Sequence, residues 1–172
     1  MGAIRTSVTL CRLRPGMEDQ SPVTDHHSPS SLGLPHRPPF VFVRELRKCD
    51  PGISAEAATS FAADDPIFTG HFPGNPVVPG VILTEALAQT AGIAAASGYP
   101  GDQKPLFFLS AIRSMKFLRA VRPGEQIDLR AERLAKVDDL VQFKVEASVN
   151  GVRVAEGQLV LSVAAKSAAG PE

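Results

Sequence analysis

Two residues in the middle of the chain could move protons. His71 lies in the Gly/Pro-rich stretch Gly70-His-Phe-Pro-Gly-Asn-Pro-Val-Val-Pro-Gly80, and Glu85 lies in the apolar run that follows it. A neutral imidazole is a serviceable base near physiological pH. An ionised carboxylate among apolar side chains costs on the order of several kcal/mol unless it is paired or protonated, which suits a carboxyl group in such a run to act as an acid. Gln89 stands at i+4 from Glu85, on the same face of a helix, where its amide can donate to the carboxyl and fix its rotamer. If a helix begins near Gly80 and Val81, their backbone N–H groups lack intrahelical acceptors and sit at the positive end of the helix dipole. These parts suit abstraction of the weakly acidic proton α to a thioester carbonyl. His71 takes that proton, the N–H groups of Gly80 or Val81 hold the enolate oxygen, and Glu85 protonates a departing β-hydroxyl. Water leaves and a trans double bond forms. Singly, each residue has a plainer reading: a histidine in a Gly/Pro loop can serve a turn, and a Glu with Gln at i+4 can form a polar clasp at a subunit interface.

The run Val81 to Ala96 must hold these groups. Its length and Ala/Leu content favour helix, Pro79 pre-sets its start, and Gly98 and Pro100 stop it. It is apolar or small nearly all round, so it must be buried on most sides. Strands are expected at Phe40 to Arg47, Ile53 to Phe61, Leu106 to Phe117, Gln126 to Lys136, Leu140 to Val149 and Val152 to Val163. Asp50-Pro-Gly52, Pro123-Gly124, Val137-Asp-Asp139 and Asn150-Gly151 are the turns between them, Asn-Gly being the strongest short hairpin signal. Gln142, Lys144 and Glu146 alternate with Val141, Phe143 and Val145, so one sheet face is wet. The expected order is two strands, a buried helix, then four strands in a meander. A flat sheet cannot bury a helix all round; a strongly curved antiparallel sheet can, with a second copy of the chain covering the remainder.

Composition excludes several other functions. The chain has 172 residues, which suits one domain, and its Lys plus Arg and Asp plus Glu are balanced at 18 each. No global field therefore favours nucleic acid or an anionic membrane. With no Trp and a single Tyr, aromatic base-stacking platforms are not expected. Cys11 and Cys49 have no zinc spacing and read as free thiols of a reducing compartment, and the longest apolar run, Val77 to Ala96, is interrupted by Pro79, Gly80, Glu85 and Gln89 rather than shaped for a bilayer. A cytoplasmic protein without metal is expected. Residues 1–35 are rich in Pro, Ser, Gly and His and read as a linker-like extension, in which His26 and His27 are solvated. Met1-Gly-Ala-Ile-Arg-Thr6 matches the loose myristoylation pattern without other support, Arg5, Arg12 and Arg14 lack the rest of a transit signal, and Met17 offers a second start. The folded domain is expected over 36–165, with 166–172 as a tail.

The stretch Gly70-His-Phe-Pro-Gly-Asn-Pro-Val-Val-Pro-Gly-Val-Ile-Leu-Thr-Glu-Ala-Leu-Ala-Gln89 closely resembles the signature of bacterial 3-hydroxyacyl-acyl-carrier-protein dehydratases of the FabZ type. The resemblance runs from about His36 to Val163. It takes in His36-Arg-x-Pro-Phe, Asp50-Pro-Gly, Pro66-x-Phe68, Phe117, Pro123-Gly124 and Asn150-Gly151. It implies an α+β hotdog fold, an antiparallel sheet wrapped around a long central helix. It also implies a homodimer or a trimer of dimers whose sites take His71 from one subunit and Glu85 from its partner. Gly80 would supply the oxyanion amide, Gln89 would orient the carboxyl, and Phe72 and Phe117 would line the acyl tunnel. The substrate would be an acyl chain linked through 4'-phosphopantetheine to acyl carrier protein, in fatty acid biosynthesis, with no metal or organic cofactor. The chain departs from the family pattern in Ile112-Arg-Ser-Met-Lys-Phe117, where Arg113 replaces a usually acidic residue, and at Leu118 and Ala120, which replace a more usual basic residue and proline. Lys116, Arg119 and Arg122 cluster beside this segment and could form a basic rim for the acidic carrier.

Three other functions fit parts of the pattern. A hotdog thioesterase would use the carboxylate to activate water, but hydrolysis needs no α-proton base, so His71 would be idle. A CoA-linked enoyl hydratase would show Asp-x-Asn-Pro-x-His; here Asp65 precedes His71 at the wrong spacing and without Asn-Pro, and reads as turn chemistry before Pro66. A non-catalytic acyl-binding protein would not need His71, Gly80, Glu85 and Gln89 together.

Overall fold

The computed structural model describes residues 33–101 and 104–164. Most of the 1–35 extension, with Cys11, His26 and His27, and the 166–172 tail lie outside the described residues. Six antiparallel strands and one long helix make up the fold. They are β1 (Glu45–Asp50), β2 (Ser54–Thr59), α1 (Gly80–Ser97), β3 (Phe107–Phe117), β4 (Ile127–Val137), β5 (Leu140–Val149) and β6 (Val152–Val163). The strand order across the sheet is β1-β2-β4-β5-β6-β3. This is the hotdog arrangement, with α1 as the wrapped element.

Two expectations about the strands need correcting. The last four strands are not one meander: β4, β5 and β6 are, while β3 crosses over and pairs with β6 at the sheet edge. The first strand is shifted from Phe40–Arg47 to Glu45–Asp50. Phe40 to Val43 are rich in β-formers, but the Phe40 carbonyl and the Phe42 N–H bond to a helix side chain rather than to a neighbouring strand, and Val41, Phe42 and Val43 are buried as a peg in the core. The helix begins one residue earlier and ends one later than expected, with Pro79 as its N-cap and Gly98 as its C-cap.

The turns follow local chemistry. Asn150 and Gly151 both have positive φ, 52° and 74°, the pairing a two-residue hairpin of right-twisted strands requires. Asp138 takes φ 51° in the two-residue turn between Val137 and Leu140. Asp65 accepts a hydrogen bond from the Ile67 N–H at 3.0 Å and so caps a single 3-10 turn, Pro66–Phe68, within the long loop before α1.

The helix is packed on several sides by the sheet, with Leu83, Ala86, Leu87, Ala91, Ala94 and their neighbours buried. It is long and apolar enough to cross a bilayer, yet 67% of it is buried inside this protein. Its hydroxyls are satisfied internally: Thr84, Thr90 and Ser97 each donate to a carbonyl one turn earlier, at 2.8 Å. Backbone meets backbone where the β1–β2 turn crosses its C-terminus. The Gly52 N–H donates to Ala94 O at 3.0 Å, and a Cβ on Gly98 would lie 2.7 Å from Gly52 Cα. The wrap is incomplete along the line of Ile82, Glu85 and Gly92, which are only partly buried, and Val81 at its head is exposed.

β3 is an 11-residue edge strand with two register shifts. Phe108, Leu109 and Ile112 on it are exposed. Its fit against β6 depends on Gly157, where a Cβ would lie 2.3 Å from the Ser114 carbonyl oxygen. A rigid backbone atom cannot swing aside as a side chain can. Gly157→Ala is therefore expected to lower unfolding stability by roughly 1–3 kcal/mol, the usual range for overpacking. Chemical denaturation checks this, and an unchanged midpoint would mean that the β3–β6 pairing gives way freely.

Candidate active site

Glu85 is reached through Gln89. The Gln89 amide is 2% exposed and makes three hydrogen bonds. Its Oε1 accepts from the Phe42 N–H at 2.9 Å. Its Nε2 donates to the Phe40 carbonyl and to Glu85 Oε1, both at 3.1 Å. One side chain thus replaces a strand neighbour for the incoming chain and orients the carboxyl. The expected i+4 contact between Glu85 and Gln89 is present. The additional tie to Phe40 and Phe42 was not legible, because it joins positions 47 and 49 residues apart in the chain. Glu85 is partly buried and faces a cavity of about 700 Å³ lined also by His36, Phe40, Gly92 and Phe108. His36, quoted above only within a motif, stands with its Nε2 3.6 Å from Glu85 Oε1. Cys49, at the far end of that cavity, contacts Ser97 Oγ at 3.2 Å and has no disulfide partner among the described residues.

His71 lies elsewhere. Its Nδ1 is 3.0 Å from the Val77 carbonyl. A carbonyl only accepts, so in the neutral ring Nδ1 carries the proton and Nε2 keeps the free lone pair a base needs. The next residue, Phe72, has φ 60°, a conformation that costs a bulky side chain roughly 1–3 kcal/mol and is typical of sites where position outweighs comfort. It holds the Phe72 ring 4.3 Å from the His71 ring and 59% exposed. His71 lines a second cavity, of about 370 Å³, with Gly80, Phe117, Leu118 and Ala120. The N–H groups of Gly80 and Val81 precede the first helical bonds, which Ile82 and Leu83 make to Pro79 O. Phe117 covers Gly80 so closely that a Cβ there would lie 2.9 Å from its ring. Leu118 and Ala120, two of the departures from the family pattern, are therefore part of the wall around His71, whereas Arg113 is exposed on β3.

Within one chain the site residues form two groups: His71, Gly80 and Phe117 around one cavity, and Glu85 and Gln89 around the other. Phe72 sits exposed beside His71 and lines neither cavity. The basic cluster is engaged rather than free. Arg119 donates to Glu125 Oε1 at 3.2 Å, and the Arg122 backbone N–H donates to Glu125 Oε2 at 2.6 Å. That backbone bond, helped by the Arg119 guanidinium, holds the Glu125 carboxyl below the usual carboxylate range. The Arg122 side chain donates to Asn75 Oδ1 and to Pro76 O, fastening the His71 loop. Lys116 is exposed, with its Nζ 3.9 Å from Glu156 Oε1. Among the described residues no group of His, Cys, Asp and Glu could hold a metal ion.

The family model described as ApeI-like, ApeI dehydratase, matches residues 48–158. The 3-hydroxyacyl-(acyl-carrier-protein) dehydratase FabZ of Ruminiclostridium cellulolyticum is 41% identical over 126 residues, 73% of this chain and 88% of that protein. The enzyme of the same name from Thioalkalivibrio sulfidiphilus is 41% identical over 132 residues, 74% of this chain and 89% of its own. Among solved structures, the dehydratase heterocomplex ApeI:P from Xenorhabdus doucetiae superposes with a TM-score of 0.66 at 20% identity, covering 79% of this chain and 91% of that one.

Gln89→Leu is expected to orphan the Phe42 N–H and the Phe40 carbonyl and to release Glu85. At about 1–3 kcal/mol for the buried Phe42 N–H and less for the part-buried Phe40 carbonyl, stability should fall by roughly 2–4 kcal/mol. Thermal unfolding and urea titration check it; retention of full stability would show that the 40–43 segment finds other partners.

Proposed function

Because the chain belongs to the FabZ family of 3-hydroxyacyl-(acyl-carrier-protein) dehydratases, we propose that it removes water from a (3R)-hydroxyacyl thioester with His71 of one copy and Glu85 of a second. The observation that carries the two-chain reading is the separation within one chain: the base and the acid line different cavities. The exposed apolar edge supports it. A long edge strand bearing Phe108, Leu109 and Ile112 is an open template for pairing unless another chain covers it. A second β3 laid along the first would continue the sheet and cover the partly open line of α1 that carries Glu85.

In this site the acyl chain lies between the copies as a thioester. His71 Nε2 takes the α-proton, and the C–H electron pair moves toward the carbonyl. The enolate oxygen receives the N–H groups of Gly80 and Val81 at the positive end of α1. The electrons return as the α–β double bond, the β C–O bond breaks, and the hydroxyl leaves with the proton of Glu85 as water. Phe117 is an apolar wall for the chain beside the base, and Phe72, exposed in the single chain, would join it once the second copy is in place. No step needs a metal or organic cofactor. Acyl carrier protein presents the substrate in the cytoplasm, in fatty acid biosynthesis, and Lys116 is the freest cation of the proposed rim, since Arg119 and Arg122 are held by Glu125 and the His71 loop.

His71→Ala and Glu85→Gln should each lower dehydration of a 3-hydroxyacyl carrier-protein substrate by at least about 100-fold while leaving a folded oligomer, the range general acid–base groups supply. Mixing the two inactive proteins with subunit exchange should restore about a quarter of wild-type activity. Half the random dimers are then mixed, and each holds one intact site of two. No recovery despite proven exchange would place both residues in one chain. Ile112→Asp should split the assembly, seen by sedimentation, and remove activity although no catalytic group has changed; an active monomer would sink the two-chain reading.

A further inference from the structure

His36 stands beside Glu85 and takes no part in the reaction as written. Its place is well defined. The ring stacks on Phe40 with centroids 6.1 Å apart at 29°. The Arg37 guanidinium donates to the carbonyls of Leu34, Pro35 and His36 at 3.2, 3.1 and 2.8 Å, which fastens the backbone that delivers the ring. His36 Nε2 points at Glu85 Oε1 from 3.6 Å. Its Nδ1 is buried and has no hydrogen-bond partner among the described residues.

That orphaned nitrogen assigns the proton. A buried N–H without an acceptor is rarer than a buried lone pair without a donor. An imidazolium, or the tautomer protonated at Nδ1, would leave such an N–H. The remaining form is neutral, with its lone pair on Nδ1 and its proton on Nε2, directed at Glu85. Gln89 Nε2 reaches the same carboxyl oxygen at 3.1 Å.

We propose that His36 is a positioning residue for the dehydration acid: with Gln89 it donates to Glu85 Oε1, which makes Oε2 the oxygen that carries the transferable proton. This rests on Glu85 being that acid. At 3.6 Å the contact is longer than a hydrogen bond, as catalytic contacts often are before substrate closes them. Two donors on Oε1 define it as the carbonyl oxygen while the acid is protonated. They also stabilise the carboxylate left when Oε2 surrenders its proton to the departing hydroxyl. Both effects act on cleavage of the β C–O bond and neither acts on thioester binding, so the consequence falls on kcat.

The test compares His36→Phe with His36→Gln in the full chain. Phenylalanine keeps a ring against Phe40 but has no donor; glutamine puts an N–H near the position of Nε2. His36→Phe should lower kcat by about 10- to 100-fold, the worth of a hydrogen bond to a charged group, with KM within about twofold. His36→Gln should recover kcat to within about threefold of the native chain. In the 15N spectrum of histidine-labelled protein, His36 should show the tautomer protonated on Nε2. Equal kcat losses in both variants, no loss in His36→Phe, or a proton on Nδ1 would each overturn the proposal. Glu85→Gln, assayed in parallel, separates this from failure of the acid assignment itself: an active Glu85→Gln refutes the acid whatever His36 does.

Discussion

The buried amide of Gln89 is the interaction on which the rest depends. A helix packed inside a sheet has no water to solvate polar side chains, so each must find its partners in the protein. Thr84, Thr90 and Ser97 do so by turning back on their own helix. Gln89 turns outward and substitutes for a strand, accepting from Phe42 and donating to Phe40. That leaves its second N–H for Glu85. The same residue therefore seats the entering chain, closes the core over Val41, Phe42 and Val43, and sets the rotamer of the carboxyl. Stability and geometry at the proposed acid are one interaction seen from two sides.

The proposed base is held by a different device. Glu85 sits on a helix braced by the sheet, whereas His71 sits on a loop rich in Pro and Gly. The loop is stiffened by the Val77 carbonyl on Nδ1, by the left-handed Phe72, and by Arg122 on Asn75 and Pro76. Glu125 anchors the backbone of Arg122 in turn. Cations that resemble a docking surface when read along the chain are, in three dimensions, largely the fastening of this loop. Of the three, Lys116 is the least fastened: it is exposed, with one looser contact to Glu156.

The helix and five of the six strands were legible because their signals are local: Ala/Leu content bounded by Pro79 and Gly98, alternation in β5, and Asn-Gly at 150–151. The proposed site residues could be named because the run from Gly70 to Gln89 carries loop, helix start and carboxyl in one continuous piece. What was hidden depends on pairs distant in sequence. The crossover of β3 to β6 obeys no local rule, and Gly157 shows its meaning only against the Ser114 carbonyl. The β-like segment 40–43 was misplaced because β propensity describes a half-buried extended chain, and that chain here is bonded to a side chain. His36 was visible as a letter in a motif; its closeness to Glu85 was not.

The separation of the two cavities has a consequence for turnover in the proposed site. Dehydration is neutral overall, yet it leaves an extra proton on His71 and a deficit on Glu85. The enzyme must return that proton before the next substrate. Two groups sharing one pocket could exchange it directly once the product leaves. Here the base belongs to a strained surface loop and the acid to a half-covered helix face, each with its own opening in the single chain. In the proposed site the second copy brings them to one bound acyl chain, so the proton on His71 can return to Glu85, directly or through water, once the product departs. Assembly across two subunits would thus do two things at once: it completes the catalytic pair, and it provides the short path by which the pair resets.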